Sequence, residues 1–214
     1  MELYYAPLAC SLAARIVAHE AEIPLELRQV EVFARTLTET GASYGDVAPL
    51  GLVPALRLDD GSLLTEVSAV VQYLADLRPE AGLAPPWGTL DRYRLVEWLS
   101  FVATEVHKKV VWQLFNRGVP EASRAHAREV APRVFDHLAR HLAARDYLVA
   151  DRFTAADAYL VWALHLARFT GLDPGADRPA LTAYVRRQRA RPSVAQLLAE
   201  ETPQAIAAMA RQPE

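Results

Sequence analysis

The chain has 214 residues, 52% of them hydrophobic and 23% charged, with 14 Pro and 9 Gly; this is an ordinary soluble globular composition, long enough for one large domain or two small ones without disulfides or a structural metal. Its 23 Lys and Arg against 26 Asp and Glu give a formal charge of −3, so no global field draws nucleic acid or an anionic membrane. No stretch approaches the about 18 consecutive apolar residues of a membrane span, and Met1 leads into a short strand-like run rather than a basic segment with an apolar core, so a cytoplasmic protein is expected.

The first third alternates short strand-like runs with helical patterns. Leu3-Tyr4-Tyr5 reads as a strand ended by Pro7, and from Cys10 to about Ala21 the apolar residues Leu12, Ile16 and Val17 recur at helical spacing. Pro24 to Val32 alternates with period two, which predicts a second strand, and the polar stretch with Thr36, Thr38, Thr40, Gly41, Ser43 and Gly45 reads as irregular. Ala55–Leu58 and Ser62–Leu64 flank Asp59-Asp60-Gly61, a strong hairpin signal, and Val67, Val70, Val71 and Leu74 form an apolar stripe that stops near Arg78-Pro79.

Pro and Gly concentrate at 78–88, which marks a linker. The expected division is residues 1–79, a linker at 80–88, and an all-helical half at 89–214. Helical patterns in that half cover Thr89–Phe115, Glu121–Ala144 with a kink at Pro132, Thr154–Thr170, Arg178–Arg189 and Ser193–Met209.

Four places carry chemistry. Cys10, the only cysteine, excludes an intrachain disulfide and a Cys-cluster metal site. It stands at the first turn of a helix, where the macrodipole favours an anion and lowers a thiol pKa, so it is either a functional thiol or a packed core residue. Thr65-Glu66-Val67-Ser68 opens the next helix; Glu66 either complements the dipole or accepts a ligand ammonium while backbone N–H groups hold a carboxylate. Ser100, Thr104 and His107 fall at i, i+4 and i+7, which places them on one helix face, followed by Lys108 and Lys109. Thr154-Ala155-Ala156-Asp157 has capping-box form, and a structural role is expected of it.

Together these residues resemble the glutathione transferases, most closely the bacterial beta class, over essentially the whole chain. The resemblance rests on Leu3-Tyr4-Tyr5-x-Pro7-x-Ala9-Cys10-Ser11-Leu12, Gly51-x-Val53-Pro54-Ala55-Leu56, and Leu58-Asp59-Asp60-Gly61-x-Leu63-Leu64-Thr65-Glu66 before Gln72-Tyr73-Leu74-Ala75-Asp76. In the second half it rests on Arg92-Tyr93-Arg94 with Glu97-Trp98-Leu99, Thr104-Glu105-x-His107-Lys108, and Phe153-Thr154-x-Ala156-Asp157-Ala158-Tyr159-Leu160.

The resemblance implies an α/β thioredoxin-like N-terminal domain plus an all-α C-terminal domain, a homodimer, and glutathione as co-substrate with no metal. It implies that Cys10 meets the glutathione sulfur or forms a mixed disulfide with it, that His107 reaches the same sulfur, and that Tyr5 and Ser11 supply hydrogen bonds. It makes Pro54 a cis proline beside Val53, whose backbone pairs with the cysteinyl group like an added strand. Glu66 and Val67 then hold the γ-glutamyl end and Arg35 the glycyl carboxylate, while Leu52, Ser100, Thr104 and Lys108 complete the binding set.

Five positions depart from the family pattern: Leu50 replaces Lys, Leu52 Gln, Val67 Ser or Gly, Ser100 Asn, and Leu166 Trp. Each lost hydrogen bond is worth roughly 0.5–1.5 kcal/mol, so weakened but surviving glutathione binding is expected. The expected function is conjugation of the glutathione thiolate to small hydrophobic electrophiles, with thiol-disulfide exchange through Cys10. The alternative is a non-catalytic relative that binds hydrophobic ligands or a protein partner.

Overall fold

The computed structural model describes residues 1–210. They form two compact units, Met1–Ala81 together with the chain from Pro192 onward, and Gly82–Arg191.

The first unit begins with strand β1 (Glu2–Tyr5), helix α1 (Ser11–Glu20) and strand β2 (Glu26–Glu31), with β1 and β2 parallel. A two-residue strand β3 (Thr36–Leu37) lies within the stretch expected to be irregular. Strands β4 (Ala55–Arg57) and β5 (Leu63–Thr65) form the hairpin, and helix α2 (Val67–Leu77) follows. The five strands make one sheet in the order β3-β2-β1-β4-β5, mixed because only β1 and β2 run parallel.

Alternation along β1 divides the core. Tyr4 packs with Val30, Tyr44, Ala48, Val53 and Ala55 on one face, and its ring lies 5.6 Å from that of Tyr44. Tyr5 lies under Arg15 of α1, whose guanidinium is 5.0 Å above its ring. Leu12, Ile16, Leu56, Val70, Val71 and Leu74 are fully buried, at roughly 1.5–3 kcal/mol each relative to exposure. The last helix, α8 (Pro192–Ala210), packs against α1, so the terminal helix groups with the sheet-containing unit.

The second unit is helical. Its first helix, α3 (Leu90–Phe101), is capped by Thr89, whose side chain accepts from the Arg92 N–H. It passes without a break into a π-helical segment, Val102–Val111, and then α4 (Trp112–Phe115). Helix α5 (Glu121–Leu142) runs through Pro132. Helix α6 (Ala155–Ala167) is buried along its whole length, and α7 (Pro179–Arg189) completes the unit. The expected capping box is present: the Thr154 N–H and hydroxyl both donate to Asp157 Oδ2 at 2.9 Å.

Candidate functional site

In the first unit Cys10 and Glu66 stand at the N-termini of helices, and Cys10 meets Val53. Cys10 caps the N-terminus of α1, partly exposed, and its Sγ donates to the Val53 carbonyl at 3.1 Å. A thiolate cannot donate, so ionisation gives up this bond and frees the Val53 oxygen for another donor. The Val53–Pro54 bond is cis, as the family resemblance implies. Just upstream, the Leu52 carbonyl accepts from the Tyr44 hydroxyl at 2.9 Å, which holds the backbone leading into Val53. Burial pushes the Tyr44 phenol far above its ordinary pKa, so it remains a donor.

Glu66 precedes α2 with φ 68° and ψ 126°, and its side chain makes no capping bond. An ordinary residue in this region is strained, and the backbone holds the exposed carboxylate at the end of a helix rather than inside its first turn. Val67, next along, is buried, and first-turn N–H groups have no intrahelical acceptor. Arg35 also has positive φ, 54°. Its side chain lies over Gly51, where an added Cβ would come within 3.1 Å of Arg35 Cδ.

Two first-unit residues are placed differently from a sulfur-facing role. Ser11 is fully buried, and its hydroxyl is engaged with the Ala6 backbone, accepting from N–H at 3.2 Å and lying 3.3 Å from O. Tyr5 is also buried, with its hydroxyl 3.5 Å from Gln29 Oε1; burial raises its pKa, partly offset by Arg15. Neither phenol ionisation nor a free Ser11 hydroxyl is on offer.

In the second unit the expected polar stripe is split. Ser100 and Thr104 are exposed, and their hydroxyls donate to the carbonyls of Val96 and Ser100 on their own helix, at 2.8 and 3.0 Å. His107 is buried and turned inward, where Nδ1 lies 2.8 Å from the Tyr159 hydroxyl and the ring meets Trp162 edge-on at 4.6 Å. The cause is the π-helical winding, visible in the Trp112 N–H donating to the His107 carbonyl, an i→i+5 bond. Seven residues close two α turns but fall short of two of these wider ones. The exposed row is therefore Ser100, Thr104 and Lys108, with Lys108 Nζ 4.7 Å above the Trp112 ring. Burial, helped by Lys108, lowers the His107 pKa to about 3, so the ring is neutral.

Several contributors were not singled out from sequence. Tyr159 and Trp162 lie within an apolar run, a signal indistinguishable from ordinary core aromatics, and Tyr44 lies between Ser43 and Gly45 in the polar stretch that reads as irregular. Glu201 is different: it is a full charge on the apolar stripe of α8 with Val194, Leu197 and Leu198, which is visible in the pattern, whereas its partner Arg15 falls among the polar positions of the α1 pattern and is buried because α1 is covered all round. A groove of about 780 Å³ in the second unit is lined by Arg133, Asp136, Arg140 and Arg178, among others, and includes none of the candidate residues.

A mixed sheet with a cis proline facing a cysteine at a helix N-terminus, joined to an all-helical unit, defines a thioredoxin-like protein of the two-domain, thiol-binding class. Residues 9–77 match the model of the glutathione S-transferase N-terminal domain and residues 97–192 that of the C-terminal domain. The chain is 38% identical to the glutathione S-transferase GstA of Escherichia coli O157:H7, over 94% of this chain and 98% of that one. It belongs to the glutathione S-transferase family.

Among solved structures it is similar to the bacterial beta-class glutathione S-transferase of Sphingomonas chungbukensis, at 37% identity and TM-score 0.88 over 94% of this chain and 98% of that one. It is also similar to a sphingomonad glutathione S-transferase complexed with glutathione, at 38% identity and TM-score 0.87 over 94% and 99%. No helix among the described residues is long and apolar enough to cross a membrane.

Proposed function

We propose that the protein is a glutathione transferase that adds the glutathione thiolate to small hydrophobic electrophiles, with thiol-disulfide exchange through Cys10 as a second activity. The observation that carries this reading is the Cys10 sulfur seated on the Val53 carbonyl at a helix N-terminus, in a chain 38% identical to a named glutathione S-transferase. In this reading the Val53 backbone pairs with the cysteinyl group in the manner of an added strand. The start of α2 receives the γ-glutamyl end, with Glu66 accepting its ammonium and the Val67 N–H its carboxylate, and Arg35 meets the glycyl carboxylate. His107, held neutral, is the second residue of the reaction, and Ser100, Thr104 and Lys108 belong to the binding set. Ser11 and Tyr5 act by shaping the turn and not as acid or base. The acceptor packs against the half-buried Trp112 and Phe115.

The reading includes a homodimer working in the cytoplasm on electrophiles to be detoxified. Exposed Phe33 and Leu50 on the first unit, and Leu90 and Tyr93 at i and i+3 on α3, support self-association; light scattering should report twice the 23.7 kDa chain mass.

The test is direct. Glutathione at millimolar concentration should protect Cys10 from alkylation and support conjugation of an aryl halide. If it does neither, the reading is wrong. Cys10→Ala should abolish disulfide exchange, while conjugation falls without vanishing.

A further inference from the structure

One charged cluster of the first unit has no role in the site described above. Arg15 of α1 and Glu201 of α8 are both buried, Glu201 completely. Arg15 Nη1 donates to Glu201 Oε1 at 2.6 Å and Nη2 to Glu200 Oε1 at 2.9 Å. The second oxygen of Glu201 accepts from the Leu8 N–H at 2.7 Å. The Ser193 hydroxyl on α8 donates to the Glu20 carboxylate at the end of α1, a second tether between the same helices.

A buried ion pair is a poor way to hold two helices together, because desolvation consumes most of its attraction and an apolar pair of the same size does as well or better. The Leu8 contact is something an apolar pair could not supply. Leu8 is buried, has φ 55° in the left-handed region where a branched side chain is strained, and has its N–H turned inward. Without an acceptor that N–H would be a buried unpaired donor, and the loop would favour another conformation. Leu8 sits two residues before Cys10, in a turn closed by Ala9 N–H to Ala6 O and Leu12 N–H to Ala9 O, both at 3.0 Å. Fixing Leu8 therefore fixes the point from which α1 starts and the direction in which the Cys10 sulfur leaves it.

We propose that Glu201 is a positioning residue for Cys10: oriented by Arg15, its carboxylate pins Leu8 in the left-handed conformation that sets the sulfur against the Val53 carbonyl. The proposal rests on the reading that Cys10 is the reacting residue, but its test does not need that reading to hold.

The readout is the pH profile of Cys10 alkylation by iodoacetamide, which follows the thiolate and needs no glutathione. Glu201→Gln keeps the shape and removes the charge. The double variant Arg15→Met with Glu201→Leu keeps the packing and removes both the charge and the acceptor. The profile midpoint should move by at least about half a pH unit in the double variant, about threefold in thiolate fraction, and by less in Glu201→Gln. The conjugation kcat should fall more than the glutathione KM rises. A folded double variant whose alkylation profile overlays that of the wild type overturns the proposal, whatever its conjugation rate. Should neither variant fold, hydrogen exchange on the wild type decides. A Leu8 amide protected to the level of the α1 amides supports the pin, and one exchanging like exposed loop amides overturns it.

Discussion

Gly51 and Arg35 work as a pair in which the missing side chain of one leaves room for the other. Gly51 has φ +65°, and an added Cβ would lie 3.1 Å from Arg35 Cδ and 3.2 Å from Nε. Gly51→Ala should cost about 1–2 kcal/mol from the left-handed backbone alone. It should also push the guanidinium aside, so the denaturation midpoint falls and the glutathione KM rises together. Arg35→Ala should raise KM with little loss of stability, because the side chain is exposed. The places of Cys10 and Glu66 at the starts of helices were legible because element ends can be read from Pro, Gly and periodicity, whereas Val53 was singled out only through the family resemblance. The inward turn of His107 was not legible, since the spacing of Ser100, Thr104 and His107 implies a common face only if the helix is wound as an α-helix.

At the scale of elements, α6 depends on its N-terminus. Asp157 accepts from the Thr154 N–H and hydroxyl, from the Leu148 N–H at 3.0 Å and from the Tyr184 hydroxyl at 2.9 Å. Thr154→Ala removes one cap and should cost about 1 kcal/mol. Asp157→Ala strands buried donors at Leu148, Thr154 and Tyr184 and should cost at least about 3 kcal/mol, at roughly 1–3 kcal/mol for each unpaired group. Urea denaturation of the two variants should rank them in that order. The box itself was legible as Thr-x-x-Asp before an apolar run. Its reach to Leu148 and Tyr184 was not, because one partner lies in the loop before α6 and the other on α7, and only the tertiary fold brings them to the carboxylate.

Across the whole molecule, acid should act through buried histidines. Burial lowers His107 to about 3 and His165 to about 4, the latter helped by Arg189 and Arg168. Both ring nitrogens of His165 lack a hydrogen-bond partner among the described residues. A depressed folded-state pKa contributes stability that is fully present above the unfolded value of 6.5 and is lost as pH falls toward the folded one. Asp157, raised by burial to about 6 against four donors, works in the opposite sense and favours the fold as pH falls. Burial raises Glu201 too, in the same sense as Asp157, but the histidine shifts, from 6.5 to about 3 and about 4, are larger than that of Asp157, so the unfolding midpoint should drop between pH 6.5 and 4. His165→Phe should flatten that slope; an unchanged slope would remove His165 from the account. The division into a sheet-containing half and a helical half was legible from the Pro/Gly-rich stretch at 78–88 and the loss of strand-like runs beyond it. The grouping of α8 with the first half was not, because it depends on packing against α1 nearly two hundred residues away. The π-helical segment finally has a meaning for the length of the chain. One residue fewer within Val102–Val111 would let the wide turns tighten toward the ordinary i→i+4 pattern, so the deletion would be taken up inside the segment and not passed on as the roughly 100° per residue that it would impose on a regular α-helix. The wide segment acts as a length buffer between two ends that stay in phase: a single-residue deletion within it should spare the aim of Trp112 and Phe115 relative to α3 and shift instead the face on which Thr104, His107 and Lys108 lie.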